Sequence, residues 1–259
     1  MTTNGDREHA FITGGGSGIG LACARRFLDD GAAVTIMGRN AEKLETARRS
    51  LASLGTVRIA AGDVADEDDV RTAVESANEH QPLTIAVANA GTGTAAPVTA
   101  MEQNAWNEVM EVNLNGTFHT FKHAGAAVAA SGGGALCAIS SIAGARSHRL
   151  MSAYCASKAA VDMLVQVTAD ELGADGVRVN SVRPGLVETE ISAPLRGSEA
   201  ILHDYLNCMP IRRVGTVEDV AGAVHFLCGP GAAWITGVNL SVDGGHHLRR
   251  GPSLDGHGT

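Results

Sequence analysis

Seven short, almost uninterrupted apolar runs, each separated from the next by a longer segment with one apolar face, constrain this chain more than any other feature. The runs are His9–Thr13, Ala33–Met37, Val57–Ala61, Leu83–Ala88, Ala135–Ser140, Val177–Val182 and Val238–Ser241. Strands that are apolar on both faces belong to the middle of a parallel sheet, because only there are both faces covered. The segments between them read as helices over Ile19–Asp30, Ala41–Leu54, Glu67–Glu79, Gln103–Ala130, Ser152–Gly173 and Val217–Cys228. This alternation predicts an α/β fold of three layers, α/β/α, with a parallel sheet in the middle.

The alternation runs nearly end to end through 259 residues of which 44% are hydrophobic, so residues 1–259 are expected to form a single domain around one large core. Glycine-rich punctuation at 14–18, 90–96, 131–134 and 184–185 is too short for a domain linker. Residues 188–213 lose the periodicity and contain Pro194, Gly197 and Pro210. They read as a mobile insertion with one or two short helices, either a lid over a substrate or an interface segment. The tail 246–259, rich in Gly, His and Arg, reads as flexible or ordered by a partner subunit.

A formal net charge of −8 argues against a nucleic-acid or anionic-membrane surface, which needs clustered Lys and Arg. No apolar run approaches the roughly 20 residues of a membrane span, and the polar N-terminus lacks a signal-type apolar stretch, so the expected location is the cytoplasm. The five cysteines show no C-x-x-C pair and are expected as free thiols. His246-His247 has no further ligand at zinc-site spacing, so no metal is expected.

The first apolar run leads into Thr13-Gly14-Gly15-Gly16-Ser17-Gly18-Ile19-Gly20 at the start of a helix. Glycines permit a tight turn and close backbone approach, and a helix N-terminus offers N–H donors to a pyrophosphate. A plain strand-to-helix connection is the alternative reading. Position at the first β–α junction favours a dinucleotide site on a doubly wound, Rossmann-type sheet, with Gly14, Gly16, Ser17, Gly18, Ile19 and Gly20 as its phosphate turn. At the end of the second strand, where an NAD site would usually place an acid, the chain has Arg39. A guanidinium there can pair with a 2′-phosphate, which favours NADP over NAD; the alternative is an exposed Arg opening the next helix.

Tyr154 and Lys158 stand at i and i+4 of a predicted helix, placing a phenol and an ammonium on one face. A neighbouring cation favours the phenolate, so such a Tyr can exchange a proton with an alcohol or carbonyl oxygen near neutral pH. Taken alone, the pair can also be a solvated helix pair.

Together these motifs resemble the short-chain dehydrogenase/reductase family, over a span from Phe11 to about Gly245. The glycine turn is similar to the family's T-G-x-x-x-G-x-G, and Asn89-Ala90-Gly91 to its N-A-G element, which supports the sheet and lines the cofactor. Asp63-Val64 looks like the pair that contacts the adenine. Ser141 lies 13 residues before Tyr154, as the family's catalytic Ser does, with Ser140 the weaker candidate. Asn113 matches the helix Asn associated with a local helix irregularity and a water leading to the Lys. Pro184-Gly185-Leu186-Val187-Glu188-Thr189 matches the segment in which Val187 and Thr189 hold the nicotinamide carboxamide.

The resemblance implies an NAD(P)-dependent oxidoreductase interconverting a secondary alcohol and a ketone. Tyr154 would be the general acid/base, Lys158 would lower its pKa and bind the nicotinamide ribose, Ser141 would polarise the substrate oxygen, and Asn113 would complete a proton relay. Ser141 and Asn113 also admit plainer readings, as a strand-end residue and a solvent-facing amide. Ala143 is expected to border the substrate and leave it space, and His148 is expected at the surface. An enoyl reductase is the alternative within the family, although such enzymes space Tyr and Lys more widely. A non-catalytic dinucleotide sensor or scaffold is the alternative outside it. Family habit further implies a homotetramer acting on a small-molecule substrate.

Overall fold

The computed structural model describes residues 8–248. Its seven strands are β1 (His9–Thr13), β2 (Ala33–Gly38), β3 (Val57–Ala61), β4 (Ile85–Ala88), β5 (Gly134–Ile139), β6 (Val177–Pro184) and β7 (Asn239–Val242). All pairings are parallel and the order across the sheet is β3-β2-β1-β4-β5-β6-β7. The helices are α1 (Gly18–Asp29), α2 (Ala41–Leu51), α3 (Glu67–His80), α4 (Gln103–Met110), α5 (Gly116–Ala130), α6 (Ser152–Leu172), α7 (Ala193–Arg196), α8 (Glu199–Cys208) and α9 (Val217–Cys228). This is the doubly wound, three-layer arrangement expected from the apolar runs.

The period of two along each strand divides the core in two. Ile12, Val34, Ile36, Val87, Cys137 and Val182 point to the layer of α1, α2 and α9. Phe11, Met37, Ala86, Leu136, Ala138 and Val179 point to the layer of α3, α5 and α6. Both faces of the central strands are dry, and that is why those strands carry so few polar residues. Asn40 caps α2 and Asp66 caps α3, while Thr216 and Asp219 form a reciprocal capping box on α9. Cys23, Cys137 and Cys228 are buried, and all five cysteines are free thiols.

Strand order reverses between β1 and β4, so a crevice opens at the carboxyl ends of these two strands. Thr13 and Asn89 knit its two sides together. The Thr13 hydroxyl oxygen accepts from the N–H groups of Asn89 and Ala90 at 3.0 and 3.2 Å, and the Asn89 amide donates to the carbonyls of Thr13 and Gly14 at 2.9 and 3.2 Å.

Three departures from the sequence expectations have local causes. Strand β4 begins at Ile85 because the N–H groups of Leu83 and Thr84 are already taken, by Asn78 Oδ1 at 2.9 Å and the His9 carbonyl at 3.1 Å. The helix expected over Gln103–Ala130 is broken into α4 and α5 by a π-helical turn, Glu111–Asn115. The start of the expected tail is a packed 3₁₀ turn, His246–Leu248. Arg146 Nη1 donates to the carbonyls of His246 and His247 at 2.8 Å each, and His247 Nδ1 lies 2.9 Å from Asp243 Oδ2. The remainder of that tail, 249–259, lies outside the described residues. Among the described residues no helix is long and apolar enough to cross a membrane.

Candidate active site

The glycines of the first turn divide by what surrounds them. Gly14 has a left-handed φ of 63°, and a Cβ on Gly20 would stand 2.5 Å from the Gly14 carbonyl oxygen and 2.5 Å from Asn89 Nδ2. These two positions let α1 close on the β1–β4 seam. A Cβ on Gly16 would make ordinary contact with Leu44 and Lys43 at 3.5 Å, and one on Gly18 with Thr189 at 3.6 Å. Ser17 caps α1 without a side-chain hydrogen bond, which leaves the first N–H groups of a 12-residue helix, at Gly18, Ile19 and Gly20, free of a side-chain acceptor. A glycine turn beside uncapped donors fits a pyrophosphate.

Two further features extend that groove. Arg39 Nη1 stands 3.8 Å from Asp63 Oδ2, with the Arg39 side chain 68% exposed, so the guanidinium is only lightly engaged. Val64 is buried beneath Gly116, where a Cβ would stand 2.7 Å from Val64 Cγ2. At the other end, Leu186 and Val187 are buried; the Glu188 N–H donates to the Gly215 carbonyl at 2.9 Å, and Gly215 N–H to Leu186 at 2.9 Å. Gly185 packs on Asp243, with no room for a Cβ closer than 2.9 Å, and the methyl of Thr189 faces Gly18. Thr189 therefore borders the glycine turn, at the end of the segment that Pro184, Gly185 and Val187 lead into from β6.

Ser141, Tyr154 and Lys158 come together beyond the end of β5. Ser141 starts a 3₁₀ turn, Ile142–Gly144, and its hydroxyl oxygen accepts from the Ala143 N–H at 3.1 Å. The turn sits flat on α6, since a Cβ on Gly144 would be 2.8 Å from the Lys158 carbonyl carbon. Ser140 instead points into the protein and donates to the Lys158 carbonyl at 3.3 Å. Ser141 stands near enough to the Tyr154 phenol to pull its pKa downward. The Lys158 ammonium donates to the Ile139 carbonyl at 2.7 Å and lies 5.8 Å from the centre of the Tyr154 ring. Gly91 and Gly93 border these side chains, the first facing Lys158 Nζ and the second the Tyr154 ring. Ala143 is buried against this group.

Asn113 is fully buried in the π-helical turn. Its Oδ1 accepts from the Thr92 N–H at 2.8 Å, and its Nδ2 donates to the Thr92 carbonyl at 3.0 Å and to Ser157 Oγ at 3.1 Å. The amide thus clamps the loop after Asn89-Ala90-Gly91 onto α6, and the solvent-facing alternative is excluded.

Burial pushes the Tyr154 phenol above its ordinary pKa of 10.0; Ser141 acts in the lowering direction without winning, and Lys158 is not among the causes. Burial also pushes Lys158 down from 10.5 to about 8, against an upward pull from Asp162 one helical turn on. With burial the dominant influence, the Tyr154 phenol holds its proton at neutral pH.

Several site residues were not singled out by sequence or were placed elsewhere. His148, expected at the surface, is partly buried with Tyr205 of α8 and His246 of the C-terminal turn; ring centres are 6.5 Å apart for His148–Tyr205, 6.0 Å for His148–His246 and 5.5 Å for Tyr205–His246. His148 Nδ1 lies 3.2 Å from the Arg146 carbonyl. Lys43 Nζ and Glu190 Oε2 are 2.7 Å apart, an ion pair that bridges α2 and the segment after Thr189 across the glycine turn. Asp162, buried behind Lys158, accepts from Arg183 Nε at 2.8 Å. Only Asp162, at i+4 from Lys158, carries a signal in the sequence.

A crevice at the strand-order reversal, a phosphate-type glycine turn and a close Ser–Tyr–Lys group together define a dinucleotide-dependent oxidoreductase domain. Residues 14–247 match a family model described as enoyl-(acyl carrier protein) reductase. Galactitol 2-dehydrogenase (L-tagatose-forming) of Cereibacter sphaeroides is 36% identical over 243 residues, covering 93% of this chain and 95% of that protein. A short-chain dehydrogenase/reductase from Mycobacterium ulcerans superposes with a TM-score of 0.91 at 42% identity, covering 95% of this chain and 92% of that one. The gluconate 5-dehydrogenase of Burkholderia cenocepacia J2315, solved with NADP and tartrate, gives 0.90 at 32%, covering 95% and 99%. The chain belongs to the short-chain dehydrogenase/reductase family, NAD(P)-dependent oxidoreductases acting on alcohols and their carbonyl partners.

Proposed function

We propose that this protein interconverts a secondary alcohol and a ketone with NADP as the preferred dinucleotide, Tyr154 acting as general acid/base. The observation that carries the reading is the meeting of half-buried Tyr154 with buried Ser141 and Lys158 beyond the end of β5, beside the loop that follows Asn89-Ala90-Gly91. When bound, the nicotinamide ring exchanges a hydride with the substrate carbon.

The chain's own residues supply position and proton management. Ser141 holds the substrate oxygen next to the phenol, with its own oxygen oriented by the Ala143 N–H. Tyr154 gives its proton to that oxygen in reduction and takes it back in oxidation. Lys158, fixed to Ile139, presents a cation to the ribose side of the groove. Asn113 holds Thr92 and Ser157 so that the relay beneath Lys158 keeps its shape. Arg39, only lightly engaged by Asp63, would hold the 2′-phosphate of NADP.

For the substrate, the wall of His148, Tyr205 and His246 presents three flat rings that also carry hydrogen-bonding atoms. Such a wall suits a carbon chain or ring bearing several hydroxyls, the class to which galactitol belongs. Purified protein is tested by nicotinamide absorbance with NADP, and separately NAD, against polyols, aldonates and cyclic alcohols, and with NADPH, and separately NADH, against an enoyl thioester. Alcohol-dependent reduction of NADP is expected. Turnover of the enoyl thioester alone would favour the enoyl reductase reading suggested by the family model's description, and cofactor binding without any turnover would favour a sensor.

We also propose a homotetramer. Phe118, Met163 and Val167 are exposed on α5 and α6, and Phe226, Trp234 and Val238 around β7, an apolar cover on two separate faces. Light scattering is expected to give four chains, and a monomer at micromolar concentration would overturn this assembly.

A further inference from the structure

Strand β3 forms one edge of the sheet, and Arg58 on it is in register with Thr35 of β2. Between β3 and α3 lies a half-open cavity of about 250 Å³, lined by Arg58, His80, Ser76 and Thr35 together with Ile59 and small alanines. No acidic residue lines it. Arg58 Nη1 is buried and has no hydrogen-bond partner. A buried cationic N–H left unpaired is strongly unfavourable, and a group like this is ordinarily matched by a carboxylate, a carbonyl or a bound anion.

The neighbours cannot satisfy it. His9, which lies beneath the cavity, already uses Nδ1 with the Gln81 carbonyl at 2.8 Å and Nε2 with Thr35 Oγ1 at 2.9 Å. Its imidazole is held neutral, first by burial and then by repulsion from Arg58 and His80, against a hydrogen bond to Gln81 that pulls the other way. Neither ring nitrogen of His9 is free to accept from Arg58.

We propose that this cavity is a binding site for a small oxyanion, specifically a phosphate group, held by the Arg58 guanidinium with His80 and the hydroxyl of Ser76 at its rim. A planar guanidinium fork matches two phosphate oxygens, while the hydroxyl and imidazole serve the remaining ones. The site is separate from the catalytic groove. Arg58 is the second residue of β3, whereas the groove is reached beyond the far end of that strand at Asp63, about 17 Å further along an extended chain. The proposal does not depend on which alcohol the enzyme uses.

Isothermal titration of inorganic phosphate into the full-length protein, with excess NADP and in parallel with excess NAD so that the glycine turn is filled, tests it directly. The expected result is saturable binding of one phosphate per chain, weakened at least tenfold by Arg58→Gln and less by His80→Gln. Absence of saturable binding, or unchanged affinity in Arg58→Gln, would overturn the site. Should Arg58→Gln not fold, His80→Asp, which puts a negative charge at the rim of the same cavity, has to remove binding, and unchanged binding there counts against the site equally. Titration with malonate separates the sources of the anion: tighter binding of the dicarboxylate than of phosphate would overturn the phosphate assignment.

Discussion

The ammonium of Lys158 hydrogen-bonds to the carbonyl oxygen of Ile139 at 2.7 Å. Ile139 ends β5 two residues before Ser141, so the lysine is fastened to the strand that presents the serine. Lys158 is 3% exposed, and this buried cation is held at a cost.

That cost has a pH signature. Below about 8 both the folded and the unfolded chain hold the Lys158 proton, and the folded state carries the full burial penalty. Between about 8 and 10.5 only the unfolded chain holds it, so stability rises with pH, and above 10.5 the penalty is gone. The displacement corresponds to roughly 3 kcal/mol. Lys158→Met is expected to be inactive yet more stable than wild type at neutral pH, by about 1 to 2 kcal/mol once the lost Ile139 hydrogen bond is subtracted. Chemical denaturation as a function of pH should show this advantage shrinking on the alkaline side.

Tyr154 gives a second pH prediction. Burial raises its pKa, so the phenol is the resting form across the neutral range. Ketone reduction, which consumes the phenol proton, is expected to be flat there, and alcohol oxidation to rise about tenfold per pH unit toward the alkaline side. Steady-state kcat/KM profiles in both directions check this; an oxidation profile flat from neutral pH upward would mean that Tyr154 ionises much earlier.

Arg39 predicts dinucleotide preference. Its 3.8 Å pairing with Asp63, largely in solvent, is worth less than about 1 kcal/mol and yields readily to a phosphate. Arg39→Ala should weaken NADPH binding by roughly 10- to 100-fold and leave NADH nearly unchanged. Fluorescence titration with both nucleotides measures it, and an unaltered ratio would remove the basis for NADP preference.

Gly16 and Gly20 belong to one motif but are expected to fail differently. Gly20→Ala drives a Cβ to 2.5 Å from the Gly14 carbonyl, a backbone contact that cannot relax, and should cost several kcal/mol or prevent folding. Gly16→Ala meets nothing closer than 3.5 Å and should fold normally while binding dinucleotide less tightly. Melting curves with and without cofactor distinguish the two.

How much of this was legible in sequence follows from what each feature depends on. The sheet was readable because parallel strands buried on both faces leave continuous apolar runs such as Val34 to Met37. The Tyr154–Lys158 pair was readable because helix geometry alone places i and i+4 together. The direction of the Tyr154 pKa was not, because burial is a property of the assembled fold and here outweighs the neighbouring groups. The His148–Tyr205–His246 wall joins a loop, α8 and the C-terminal turn, and the Lys43–Glu190 pair joins residues 147 apart, so no local pattern announces either. The π-helical turn at Glu111–Asn115 left no mark in helical periodicity, and only the family resemblance pointed to Asn113.

The most direct test of the account is Tyr154→Phe, which removes one hydroxyl and keeps the ring. Turnover of the best alcohol substrate is expected to fall by about 10³-fold or more, while dinucleotide affinity stays within roughly threefold of wild type. Turnover comparable to wild type, with cofactor bound, would contradict the assignment of Tyr154 as the proton-transferring group.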